Sequence, residues 1–155
     1  MTEDASILPR ILLVEDNPDD VELTRIAMEE AGLHCELVAV EDGADAIEVL
    51  RAATEPGGPE KPHLVLLDLN LPKVDGLDVL RFVKADAQLR SIPVLILTTS
   101  GDDHDIRVSY DDHASAFLVK PIDYDEFVHL FEVIAAYWFG IVVLPPARDP
   151  YDPYI

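Results

Sequence analysis

Five side chains could do chemistry together if the fold brought them to one place: Glu15, Asp16, Asp68, Thr98 and Lys120. Three carboxylates sharing a pocket repel one another unless they are protonated or bridged by a cation. An all-oxygen set suits a hard divalent ion, and Mg²⁺ favours one or two carboxylates together with a phosphate. The ammonium of Lys120 is a mobile point charge suited to a phosphoryl oxygen. The Thr98 hydroxyl can donate one hydrogen bond to another such oxygen. Together these groups describe a metal-dependent phosphoryl acceptor with one carboxylate as nucleophile.

The elements that must position them are legible around them. ILLV precedes Glu15-Asp16, LVLL precedes Asp68, VLIL precedes Thr98 and AFLV precedes Lys120. Each run is short, apolar and bounded by turn-forming residues, which predicts a buried strand. CELVAV (35–40) supplies another strand, and helical segments alternate with all five. That alternation predicts an α/β fold, a doubly wound parallel sheet with helices on both faces. In such sheets the binding crevice lies at the carboxyl ends of the strands, where all five residues stand.

Asn17-Pro18-Asp19-Asp20 reads as a helix start, with Asn17 as cap, Pro18 in the first turn and the aspartates at the positive end of the dipole. Asp19 and Asp20 thereby have a structural explanation, and Asp16 is released from capping. Gly32 stops this helix after Ala31. Further helices are predicted over 44–53, over 77–85, within GDDHDIRVSYDD and over 123–138. TEPGGPEKP is a surface loop placed away from the candidate site, at the amino end of the third strand.

Composition excludes several classes. The 155 residues carry 31 acidic and 11 basic side chains, a net charge of −20, so nucleic acid and anionic membrane should both repel this surface. At 49% hydrophobic the chain can build a full core. Cys35 is the only cysteine and reads as a small strand residue. His104 and His113 lie among aspartates on a solvated helix face, without tight ligand spacing. The acidic start lacks the features of a signal peptide, and the longest apolar stretch, 133–144, is too short to span a bilayer. A cytoplasmic protein is expected.

ILLVEDNPDD, LVLLDLNLPKVDG, PVLILTTS and AFLVKP, in this order and each after a predicted strand, resemble the receiver domain of two-component response regulators. The resemblance covers 10–138 and implies a flavodoxin-like receiver fold with strand order 2-1-3-4-5. It implies that Asp68 accepts a phosphoryl group from a histidine kinase. Glu15 and Asp16 would hold Mg²⁺, Asp16 directly and Glu15 largely through water, with Asp68 and the backbone carbonyl of Asn70 completing the ligands. Lys120 would pair with the phosphoryl group, and the bond to Pro121 is usually cis in similar proteins. Thr98 and Phe117 would form the switch, although many receivers carry tyrosine where Phe117 stands. Asn70 and Ser100 would flank the path of the water that removes the phosphoryl group; neither is a carboxylate able to act as a strong base.

FEVIAAYWFGIVVLP and the long loop before the third strand resemble the single-domain regulators that partner bacteriophytochromes. No more than about twenty residues follow the last predicted helix, too few for an independent effector domain. The chain thus divides into an N-terminal segment (1–9), a receiver domain (10–138) and an extension (139–155). Trp138, Phe139, Ile141, Val142, Val143 and Leu144 are many apolar groups for a free tail. They predict a homodimer through the face made by the fourth helix, fifth strand and fifth helix, or else closure over their own domain. The resulting expectation is a stand-alone phosphoacceptor, not an enzyme acting on an external substrate. The alternatives are a phosphorylation-independent interaction module, a Mg²⁺-dependent phosphatase and a flavin-binding electron carrier. The phosphatase usually needs a second acid where Asn70 stands, and Glu15 and Asp16 would repel a flavin phosphate.

Overall fold

Among the described residues the apolar runs form five strands, and the segment after each forms a helix, five in all. The computed structural model describes residues 8–146. In chain order these are β1 (Arg10–Val14), α1 (Pro18–Glu30), β2 (Glu36–Val40), α2 (Gly43–Ala52), β3 (Leu64–Leu67), α3 (Gly76–Ala85), β4 (Val94–Thr98), α4 (Asp103–Asp111), β5 (Ala116–Val119) and α5 (Tyr124–Ala136). All strand pairs are parallel and the order is β2-β1-β3-β4-β5. This is the doubly wound, flavodoxin-like arrangement expected from the sequence. The order reverses at β1, whose neighbours are β2 and β3, so a crevice opens above the carboxyl ends of β1 and β3.

Strand alternation builds two cores. Leu12, Val14, Val65, Leu67, Val94 and Ile96 face α2 and α3, packing on Ala46, Leu50, Val79, Leu80 and Val83. Ile11, Leu13, Leu64, Leu66, Leu95 and Leu97 face α1 and α5, packing on Ala27, Met28, Phe127, Phe131 and Ile134. The three central strands, β1, β3 and β4, are apolar along nearly their whole length because both of their faces are covered.

Helix starts follow the capping residues. The Asn17 side chain accepts from the N–H groups of Asp19 and Asp20, and Asp42, Asp75, Asp102 and Asp123 cap α2, α3, α4 and α5. Gly32, at φ 79°, turns the chain out of α1. The TEPGGPEKP loop lies between α2 and β3, at the amino edge of the sheet.

Two expectations are corrected. α5 does not run as one α-helix to Trp138; it ends at Ala136 and continues as a π-helical turn, Tyr137–Ile141, closed by Val142 N–H to Tyr137 O. The wider turn brings Trp138 and Phe139 against the α1/α5 core. The Lys120–Pro121 bond is trans, the isomer an X–Pro amide prefers intrinsically by about 0.5–1 kcal/mol.

Candidate functional site

Ladder hydrogen bonds run one residue beyond the strands and fix three site residues by their backbones. Glu15 N–H donates to Val40 O (3.0 Å), Asp68 N–H to Val14 O (3.1 Å) and Lys120 N–H to Thr98 O (2.8 Å). Thr98 is itself the last residue of β4 and is fully buried. Neighbouring parallel strands therefore deliver their side chains to one rim, in a register set by the core.

The carboxylates of Glu15, Asp16 and Asp68 converge there, each offering an oxygen within 4.8 Å of the others. Asp16 is exposed, whereas the side chains of Glu15 and Asp68 are only 4% and 11% accessible. Lys120 Nζ lies between the two buried acids, 2.5 Å from Glu15 Oε1 and 3.4 Å from Asp68 Oδ2. The other Glu15 oxygen accepts from Asn17 N–H, 3.2 Å away. Burial raises the pKa of Glu15 and the Asp68 charge adds to that, against the opposing pull of Lys120. For Lys120, burial works to lower the pKa, but the hydrogen bond and charge of Glu15, then Asp68, leave it raised. Lys120 is thus a firm cation, and the acid cluster still exceeds it in charge. A clustered, all-oxygen donor set with residual negative charge fits a hard divalent ion.

The turn after β3 completes the site. Asn70 N–H donates to Asp68 Oδ1 (3.0 Å), which fixes the carboxylate. Asn70 Nδ2 and Ser100 N–H approach Thr98 Oγ1 at 3.4 and 3.5 Å, long for hydrogen bonds. Asn70, Thr98 and Ser100 are therefore gathered around the acid cluster. Phe117 is not in the cluster. It is half-buried in the α2/α3 core, paired in register with Ile96. By strand alternation Thr98 shares a sheet face with Ile96 and Phe117, so the expected switch pair lies on one side of the sheet.

Sequence reasoning passed over three residues here. Asn17 steadies Glu15 as well as capping α1; its place two residues on was the available signal. Tyr110 of α4 accepts a hydrogen bond from Phe117 N–H (3.1 Å) on the outer edge of β5, a pairing that spacing does not reveal. Asp42, a buried acid at the same rim, caps α2 and pairs with Lys73. Asp-Gly ahead of an amphipathic segment was its signal.

Residues 11–132 match the response regulator receiver domain family. The chain belongs to that family. Members are signalling modules that receive a phosphoryl group on an aspartate and bind a divalent metal. Among relatives, the probable methanogenesis regulatory protein FilR2 of Methanothrix harundinacea is 43% identical over 84% of this chain and 83% of its own. The response regulator Rcp1 of Synechocystis is 35% identical over 95% of this chain and 100% of its own. The Mn²⁺-bound form of Rcp1 superposes with a TM-score of 0.79 at 35% identity, covering 89% of this chain and 99% of that one. The phosphorylated cyanobacterial phytochrome response regulator RcpA gives a TM-score of 0.82 at 37% identity, over 90% and 99% of the two chains. This chain is a response regulator homologous to Rcp1 and to the phytochrome response regulator RcpA.

Proposed function

We propose that this protein takes a phosphoryl group from a sensor histidine kinase onto Asp68, in a Mg²⁺-dependent reaction, and signals through a conformational switch and protein contact. The observation that carries the reading is the convergence of Glu15, Asp16 and Asp68 around one point, with Lys120 in reach of Asp68. In this reading Asp16, Asp68 and the Asn70 carbonyl would hold the metal, and Glu15 would contribute largely through water. When bound, Mg²⁺ offsets the carboxylate repulsion and the charge on the phosphoryl oxygens. An Asp68 oxygen attacks phosphorus, the phosphorus–nitrogen bond to the donor histidine breaks, and the electron pair leaves with the imidazole. Lys120 turns from Glu15 to one phosphoryl oxygen, and the Thr98 hydroxyl donates to another. Movement of Thr98 toward that oxygen frees space on the Phe117 side of the sheet, shifting the balance between two populated states. The protein acts on no external substrate in this scheme.

The test is intact mass after incubation with acetyl phosphate and Mg²⁺. Wild type should gain one phosphoryl group and Asp68→Asn none; equal gain in both would sink the assignment. Asn70→Lys and Ser100→Glu should each change the decay rate of the phosphorylated protein, by roughly a few-fold, because both line the approach to phosphorus. Unchanged decay in both would remove them from the reaction.

The donor's surface must rest against the pocket wall for its histidine to reach Asp68. A groove of about 460 Å³ opens beside Lys120, lined by Leu23 and Thr24 of α1 and by Val119, Pro121, Ile122 and Phe127. It is largely apolar and suits a helical kinase domain. The homology to phytochrome regulators supports a phytochrome-type kinase as that partner.

We also place the receiver at 10–138, with 139–155 as an extension and 1–9 as a leading segment; 1–7 and 147–155 lie outside the described residues. Trp138 and Phe139 pack within their own domain, which leaves Val133, Tyr137, Ile141 and Val143 as exposed apolar groups. With the groove of about 350 Å³ between β5 and α5, they favour a homodimer on the α4–β5–α5 face. No helix among the described residues is long and apolar enough to cross a membrane; a cytoplasmic location is part of this proposal.

A further inference from the structure

The segment Leu69–Gly76 carries the Asn70 carbonyl proposed above as a metal ligand, and its own bonds close only its base. Its base is closed by short-range bonds: Asn70 N–H to Asp68 Oδ1, Leu71 N–H to Leu69 O (3.1 Å) and Gly76 N–H to Leu69 O (3.2 Å). A Cβ on Gly76 would collide with Asp68 O and stand 2.6 Å from Leu69 Cα, so the base closes only on glycine. The tip has no comparable closure. Lys73 sits there at φ 65°, the left-handed region that a non-glycine residue occupies at a cost and keeps only when its surroundings impose it.

What meets the tip is the start of α2. Lys73 Nζ reaches Asp42 Oδ2 at 3.3 Å, and Asp42 is itself nearly buried and tied by Asp45 N–H at 2.8 Å. Next to it Gly43 lies so close beneath Val74 that a Cβ would collide with the Val74 carbonyl and stand 2.9 Å from Val74 Cβ. The helix start is rigid, since Gly43 and Ala46 are buried on the core side and Asp42 caps the helix. The loop is thus pinned at base and tip, and the tip's anchor belongs to an element that contributes no residue to the acid cluster.

We infer that Asp42 and Gly43 are positioning residues for the phosphoacceptor loop: by bracing Lys73 and Val74 they hold the Asn70 carbonyl where the metal needs it. The inference rests on the proposed metal role of Asn70. Groups that orient a metal ligand from behind typically change affinity by about 10–100-fold when removed. Gly43→Ala pushes Val74 away and should weaken Mg²⁺ binding by about tenfold, measured by titration calorimetry on the full chain. In the metal-free protein the same variant should speed hydrogen exchange at the Leu71 and Gly76 amides, a readout that needs no metal and no phosphorylation.

Gly58→Ala is the matched control. A Cβ there would collide with Ala52 O and stand 3.1 Å from Glu55 O, a similar clash beyond the other end of α2, away from the loop. It should lower stability yet leave Mg²⁺ affinity and exchange at Leu71 and Gly76 near wild type. Equal effects from the two alanines, or an unchanged Mg²⁺ affinity in Gly43→Ala, would overturn the inference. If Gly43→Ala does not fold, Asp42→Asn decides. It keeps the helix cap and loses the charge facing Lys73, so affinity should drop by about threefold; no change would overturn the inference. Should wild type bind Mg²⁺ and respond to Gly43→Ala yet never gain a phosphoryl group, the functional proposal fails and this inference stands.

Discussion

The carboxyl rim of the sheet and its β5–α5 flank are opposite solutions to exposure. The rim puts charge inside: Glu15 and Asp68 are nearly buried and share one ammonium. The flank leaves apolar groups outside, with Ile141 75% and Val143 94% exposed. Each arrangement is costly for an isolated chain. Buried acids in excess of cations lack full compensation, and a cluster of exposed apolar side chains lacks a cover. Each cost fits what the proposal has the surface receive, a cation and a phosphoryl group at the rim and another protein at the flank. A core residue such as Phe131, fully buried in one domain, signals neither.

Breaking the rim should give the larger effect. Lys120→Met leaves Glu15 without its counter-charge and removes the group proposed to pair with the phosphoryl oxygen. Removing one partner of a buried ion pair costs about 3–5 kcal/mol, and the Mg²⁺-free protein should lose stability on that scale. Loss of a preorganised charge at the reacting centre slows such steps by about 10²–10³-fold, which is the decrease expected in labelling by acetyl phosphate. Because a divalent ion would relieve the same unbalanced charge, Mg²⁺ should raise the melting temperature more in the variant than in wild type. Equal Mg²⁺ stabilisation of the two proteins would show that the acid cluster is not what the ion relieves.

The flank itself divides within six residues. Trp138 packs on the α1/α5 core, whereas Ile141 and Val143 project outward. Trp138→Ala should therefore destabilise the domain, by about 1–3 kcal/mol for a half-buried aromatic. Ile141→Asp with Val143→Asp should change stability by less than about 0.5 kcal/mol. Light scattering at about tens of micromolar, where weak dimers still register, should show the double variant monomeric and wild type dimeric in at least one phosphorylation state. Monomeric wild type in both states would dispose of the dimer, and the flank would then lack its stated partner.

The two regions also differ in how well the sequence announced them. Glu15, Asp16, Asp68, Thr98 and Lys120 could be placed together because apolar runs set the strands, parallel topology sets which ends align, and each residue stands within two positions of its run's end. Period-2 strands carry that information locally. The flank was harder because an apolar tail packs equally well in cis or in trans by composition. What divided Trp138 and Phe139 from Ile141 was a π-helical turn, a rotation of the helix face that no residue type encodes. The Tyr110–Phe117 bond and the bracing of Val74 by Gly43 were hidden for a related reason. Both are contacts between elements whose spacing depends on how helices settle on the sheet, and Gly43 looked like an ordinary residue at a helix start.

A smaller effect separates two buried acids at the rim itself. Burial holds Glu15 above the ordinary carboxylate range, while Asp42 is held below it, by the Asp45 N–H first and by Lys73 next, against a burial penalty. A depressed folded-state pKa means that the ionised form of Asp42 favours folding. That contribution is complete above the unfolded value, about 3.9, and is lost as pH falls through the lower folded value. Wild type should therefore lose stability with acid in this window, and Asp42→Asn, which still caps α2 but cannot titrate, should lose less. Urea denaturation from pH 6 down to about pH 3 reads the difference as the gap between the two proteins' midpoints. That gap should narrow as acid is added. A gap that stays constant across the range would mean that the Asp42 charge has no role in holding the loop tip, against its assignment as a positioning residue.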